Sequence, residues 1–83
     1  MKTVAITGAA RGIGLAIAER FLAEQWTVFC LARDEQAGSK LKSKGDARFV
    51  PFDASSIDSV TRAAKTILSA TGRLEALVNN AGI

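Results

Sequence analysis

Histidine and tyrosine are both absent from the 83 residues, and cysteine and proline occur once each. Without histidine the commonest general acid–base side chain is missing, and without tyrosine phenol chemistry is excluded. No metal site is expected. The lone cysteine, Cys30, rules out an intramolecular disulfide framework and makes a reducing cytoplasm the expected setting. No apolar run approaches the roughly 20 residues of a membrane span. The stretch Met1-Lys2-Thr3-Val4-Ala5-Ile6 is too short an apolar run for a signal peptide. Charge is sparse as well, at 23% of residues and a formal net +3, while 48% are hydrophobic. That is too apolar and too weakly charged for a disordered chain. The basic residues are dispersed, apart from Lys40, Lys42 and Lys44 around Leu41. These read as a solvated helix face, so no nucleic-acid partner and no membrane are expected. A domain of this length buries roughly 60% of its unfolded surface, which allows one small core.

What is present is an alternation of two hydrophobic periods. Thr3–Thr7 is a short β-rich apolar run that ends at Gly8 and reads as a strand buried on both faces. From about residue 12 to 25 the period becomes helical, with Ile13, Ile17 and Phe21 beside Leu15, Ala18 and Leu22, and Glu19, Arg20 and Glu24 opposite. Thr27–Ala32 is a second buried strand. Asp34 caps a shorter polar helix that runs to about Lys44 and stops at Gly45. Ala47–Phe52 is a third strand, followed by a helix from Ile57 to about Ala70, capped by Ser55 or Ser56 and ended by Gly72. Val60, Ala64, Ile67 and Leu68 form its expected buried stripe. Leu74–Val78 is a fourth strand, and Asn79-Asn80-Ala81-Gly82 follows it.

The order β-α-β-α-β-α-β means an α/β fold with a parallel sheet and right-handed crossovers. Pro51 cannot donate to a ladder, so the third strand belongs at a sheet edge. Strand order 3-2-1-4 satisfies this, and it is the first half of a doubly wound parallel sheet. A flavodoxin-like order would put Pro51 inside.

The loop Thr7-Gly8-Ala9-Ala10-Arg11-Gly12-Ile13-Gly14 lies between a strand and a helix. Its glycines permit a tight turn, a close approach of backbone to a pyrophosphate, and close helix–strand packing. The helix start adds free N–H groups and partial positive charge. The spacing is neither G-x-G-x-x-G nor a Walker loop. Ser39-Lys40-Leu41-Lys42 matches Ser-x-x-Lys without any partner motif, and Cys30, in mid-strand, reads as a buried, inert thiol.

Thr7-Gly8-x-x-x-Gly12-x-Gly14, Asp53 after the third strand and Asn79-Asn80-Ala81-Gly82 after the fourth together resemble the short-chain dehydrogenase/reductase family. The resemblance spans Thr3 to Ile83. It implies the N-terminal half of a Rossmann fold, residues 1–83 forming the first part of a longer NAD(P)-binding domain, and a homo-oligomeric oxidoreductase acting on a carbonyl or alcohol substrate. At matching positions it implies that Gly8, Gly12, Ile13 and Gly14 hold the pyrophosphate and adenosine ribose. It further implies that Asp53 accepts from the adenine amino group beside the Ala54 amide, and that Asn80, Ala81 and Gly82 line the cofactor crevice. Asn79 is expected to tie the fourth strand to its neighbours. Family members often carry glycine near Gln25, where the first helix ends; here Gln25-Trp26 stands instead.

Cofactor choice is read at the end of the second strand, where NAD-preferring relatives place a carboxylate. Here Ala32-Arg33 stands. A guanidinium holds a 2′-phosphate that a carboxylate would repel, and Arg11 is a second basic residue of that kind. NADP(H) is therefore the expected cofactor, with NAD possible, as in the carbonyl-reductase branch that Leu31-Ala32-Arg33-Asp34 resembles. The family's catalytic tyrosine, lysine and serine lie beyond the Asn-Asn-Ala-Gly motif, so no catalytic residue is assigned in this chain and none of its own turnover is expected. The alternative is a free-standing nucleotide-binding or structural half-fold.

Overall fold

The structure, a computed structural model, describes residues 2–9, 12–33, 39 and 41–80. Strands β1 (Thr3–Thr7), β2 (Thr27–Ala32), β3 (Ala47–Pro51) and β4 (Ala76–Asn79) form one parallel sheet in the order β3-β2-β1-β4. Helix α1 (Gly12–Ala23) joins β1 to β2, and α2 (Ile57–Thr71) joins β3 to β4. This is the order that the single proline required. Pro51 pairs with Ala32 on the inner side of β3 and leaves the proline on an outer edge.

Because successive strand side chains point to opposite faces, the predominantly apolar strands feed two cores. Val4, Ile6, Val28 and Cys30 pack with Ala18 and Leu22 of α1, and Leu41 is buried among them. Ala5, Phe29, Leu31 and Val50 pack with Ala63 and Ile67 of α2 on the other face. Burial raises the Cys30 thiol to a pKa of about 11, so it stays protonated and inert near neutral pH. Among the described residues no helix is long and apolar enough to cross a membrane.

Several details depart from the periodic reading. On α2 the buried residues are Ser59, Ala63 and Ile67, whereas the expected stripe members Val60 and Leu68 are 43% and 56% exposed and Ala64 is exposed too. The small Ser59 and Ala63 allow the helix to approach the sheet. Val60 and Leu68, one position further round, instead line an open apolar groove with Leu74 and Leu77 beside β4. Ile13, placed in the α1 stripe, is exposed at the start of the helix. The fourth strand begins at Ala76, not Leu74. Of the polar helix expected over 34–44, residues 34–38 and 40 lie outside the described residues; Lys42–Lys44 form a 3-10 turn and Gly45 follows it.

The end of α1 forms a closed C-terminal motif. The Trp26 N–H donates to the Phe21 carbonyl at 3.0 Å and the Gln25 N–H to the Leu22 carbonyl at 2.9 Å, while the Phe21 and Trp26 rings meet edge-on at 4.8 Å. These bonds and this apolar contact are those of a Schellman cap. The cap requires a left-handed residue, and Gln25 adopts it at φ +66°.

Candidate functional site

In a parallel sheet all carboxyl ends lie along one side, so the loops after β1, β2, β3 and β4 meet there. Of the site residues expected from sequence, Gly8, Gly12, Ile13, Gly14, Arg33, Asp53, Ala54 and Asn80 are placed on this side. Arg11, Ala81 and Gly82 lie outside the described residues.

The described side chains form two clusters. The first joins the glycine loop to β4. Gly8 and Gly12 take positive φ values of 68° and 62°, which glycine adopts without steric cost. A Cβ on Gly14 would fall 2.1 Å from the Gly8 carbonyl oxygen and 2.7 Å from Asn80 Nδ2, so α1 packs against the loop at a distance only glycine permits. Asn80 Nδ2 donates to that same Gly8 carbonyl at 3.2 Å, and the Asn80 N–H donates to Thr7 Oγ1 at 2.9 Å. Thr7 Oγ1 also lies 3.2 Å from Asn79 Oδ1. Asn79 ties β4 to β1 as expected, and Asn80 does the same for the loop.

The second cluster lies at the ends of β2 and β3. Arg33 Nη2 donates to Asp53 Oδ1 at 3.5 Å across an exposed ion pair. The same oxygen accepts from the Ser55 hydroxyl at 2.7 Å and the Ser55 N–H at 3.0 Å. The Ser55 hydroxyl, then its N–H, hold the Asp53 carboxyl below the usual carboxylate range against desolvation, and the Arg33 charge adds to them. The Asp53 N–H donates to the buried Ser59 Oγ at 2.8 Å.

Ser55 and Ser59 thus build the site without having been singled out for it, and the Thr7 hydroxyl, at the head of the glycine motif, joins them. Ser55 reads in sequence only as a candidate helix cap, a place that Ser56 takes: its side chain accepts from the Ser59 N–H. For Ser59 the available signal was a polar residue on the sheet side of an otherwise apolar helix stripe.

The arrangement fits a dinucleotide. Positive-φ glycines lead into a helix whose first N–H groups have no intrahelical partner. Among the described residues, a Cβ built on Gly12 meets nothing within 4 Å. A guanidinium and a carboxylate stand at the ends of the next two strands, β2 and β3.

The family model for short chain dehydrogenase matches residues 2–83. The chain belongs to the short-chain dehydrogenase family. The rhamnolipids biosynthesis 3-oxoacyl-[acyl-carrier-protein] reductase of Pseudomonas aeruginosa is 40% identical over 81 residues, covering 93% of this chain and 32% of that protein. Two solved structures superpose closely. The NADP active-site complex of Pseudomonas aeruginosa RhlG gives a TM-score of 0.89 at 37% identity, covering 99% of this chain and 35% of that one. The 3-ketoacyl-(acyl-carrier-protein) reductase of Brucella melitensis, complexed with NADH, gives 0.90 at 37% identity, covering 99% and 34%. The chain therefore spans about a third of the length of the curated relative and of both structures.

Proposed function

We propose that this chain is the cofactor-binding part of an NADP(H)-dependent oxidoreductase that acts on a carbonyl or alcohol group. The observation that carries the cofactor reading is Arg33, which follows Ala32 at the carboxyl end of β2 and stands beside Asp53. In this reading the Gly8, Gly12 and Gly14 backbone and the Ile13 amide hold the pyrophosphate. Asp53 accepts from the adenine amino group, with the Ala54 amide beside it. Arg33 and Arg11 hold the ribose 2′-phosphate, and Asn80, Ala81 and Gly82 border the crevice toward the nicotinamide. The bound cofactor supplies or accepts hydride. The chain's own residues bind and orient it. With no tyrosine in the 83 residues, the proton donor of the family's chemistry is not among them. The wider reading is a cytoplasmic homo-oligomer that binds a dinucleotide and a small-molecule substrate. Relatives are known with NADP and with NADH, so Arg33 rather than family membership supports the choice of NADP(H).

The test is a pair of substitutions. A charge-assisted contact to a 2′-phosphate is worth roughly 1.5–3 kcal/mol, which is about tenfold to a hundredfold in affinity. Arg33→Ala is expected to weaken NADPH binding on that scale and leave NADH nearly unchanged. Ala32→Asp is expected to go further, by repelling the phosphate and offering the ribose hydroxyls an acceptor. Titrating both cofactors into each variant decides it. Equal loss for both cofactors in Arg33→Ala would overturn the NADP(H) reading.

A further inference from the structure

The Arg33–Asp53 ion pair links two groups to which the proposed reading gives separate tasks, one at the 2′-phosphate and one at adenine. Their strands are neighbours: β2 and β3 pair through Leu31 and Val50, and the Phe52 N–H donates to the Ala32 carbonyl at 3.0 Å. The short segments that leave the strands therefore emerge side by side. The pair itself is 3.5 Å long, with the Arg33 side chain 78% and the Asp53 side chain 42% exposed. The two ends are held unequally. Asp53 is anchored through Ser55 at its carboxylate and Ser59 at its N–H. Asp53 Oδ1 is the only side-chain partner recorded for Arg33 among the described residues.

We propose that Asp53 is a specificity-positioning residue: through its ion pair with Arg33 it lowers the preference of the site for a 2′-phosphorylated dinucleotide over its unphosphorylated form. The proposal rests on the reading of Arg33 as the phosphate ligand. The sign follows from charge. A phosphate that reaches Arg33 must share the guanidinium with Asp53 Oδ1 and approach a fixed negative charge. NAD, which lacks that phosphate, meets neither cost. Removing the Asp53 charge relieves both costs for NADP alone. The magnitude is that of an exposed ion pair, roughly twofold to fivefold in affinity, well below the effect of removing Arg33.

Asp53→Asn removes the charge and keeps an Oδ1 acceptor for Ser55, so the turn retains its hydrogen bonds. NADP⁺ and NAD⁺ are titrated into the 83-residue chain, into Asp53→Asn, into Arg33→Ala and into the double variant, with circular dichroism to check that each is folded. In the Arg33 background, Asp53→Asn is expected to raise the NADP⁺:NAD⁺ affinity ratio about twofold to fivefold. The gain is expected to shrink as salt rises. In the Arg33→Ala background the ratio is expected to rise less, because only the repulsion between carboxylate and phosphate is then relieved. A loss of adenine contact moves both nucleotides together and cancels in the ratio. An unchanged or lowered ratio in the Arg33 background, or the same rise in both backgrounds, overturns the proposal while leaving the cofactor reading in place. If neither nucleotide binds the folded wild-type chain, the cofactor reading fails, and the proposal fails with it.

Discussion

Single residues set how closely the pieces of this site approach. Gly14 is the clearest case, because its hydrogen occupies a space that a methyl group cannot: the Gly8 carbonyl and the Asn80 amide stand within 3 Å of the Cβ position. Both obstacles belong to the cluster that joins the loop to β4, and one is backbone, so relief requires moving α1 or the loop. Gly14→Ala is expected to destabilise the fold by about 1–3 kcal/mol, the range for overpacking a close-packed site, and to weaken dinucleotide binding by shifting the Gly8 turn. Chemical denaturation and cofactor titration read the two effects. Wild-type stability in this variant would show that the helix start is looser than the geometry implies. Gly14 was legible in the glycine spacing and Asn80 in the motif after the fourth strand; their contact was not, because the two lie 66 residues apart by number and meet only through the β1–β4 pairing.

Elements are held at their ends by devices of unequal quality. The Schellman cap of α1 has its bonds and its Phe21–Trp26 contact, but a glutamine in the left-handed position. A side chain there costs roughly 1–2 kcal/mol, partly offset by the greater freedom glycine has when unfolded. Gln25→Gly is therefore expected to stabilise the chain by about 1 kcal/mol, measured as a higher denaturation midpoint with an unchanged slope. By contrast α2 ends with glycine in that role: Gly72 has φ +72° and its N–H reaches the Leu68 carbonyl at 2.8 Å. The start of the sheet depends on a carboxylate. The Glu75 side chain accepts from the Thr3 N–H at 2.7 Å, while the Glu75 N–H donates to the Thr3 carbonyl at 3.0 Å. The Thr3 N–H first, with help from Arg73, holds the Glu75 carboxyl below its ordinary value of 4.5 against desolvation. A carboxyl with a lowered folded pKa stabilises the fold above its unfolded pKa and loses that contribution as pH falls through the folded value. Denaturation midpoints are expected to drop below about pH 4.5. Glu75→Gln is expected to flatten that part of the profile; an unchanged slope would remove Glu75 as its source.

At the scale of the whole molecule the two sheet edges differ. The β3 edge carries Pro51, which cannot donate to an added strand. The outer edge of β4 has no partner among the described residues, and Leu77 on it is 63% exposed beside the groove that Val60, Leu68 and Leu74 line. An unprotected edge next to an apolar groove favours association. The 83-residue polypeptide is expected to self-associate with rising concentration, seen as an increase in scattering mass. A folded monomer at high concentration would show that this side is shielded.

The alternation of periods, the single proline and the glycine ends of loops were enough to read the strands, their parallel order and the loops that meet at one side of the sheet. These are local signals: a period reports which faces are apolar, and proline and glycine act through their own backbone. Tertiary structure alone decided what those faces meet. The apolar stripe of α2 is wide enough to dock by more than one line, and the small Ser59 and Ala63 settled it, leaving Val60 and Leu68 outward. Likewise Arg33 and Asp53 were each readable as charges at strand ends, but their pairing follows from the adjacency of β2 and β3. A charge pair is a distance between two points of the chain, and only the folded sheet brings those points together.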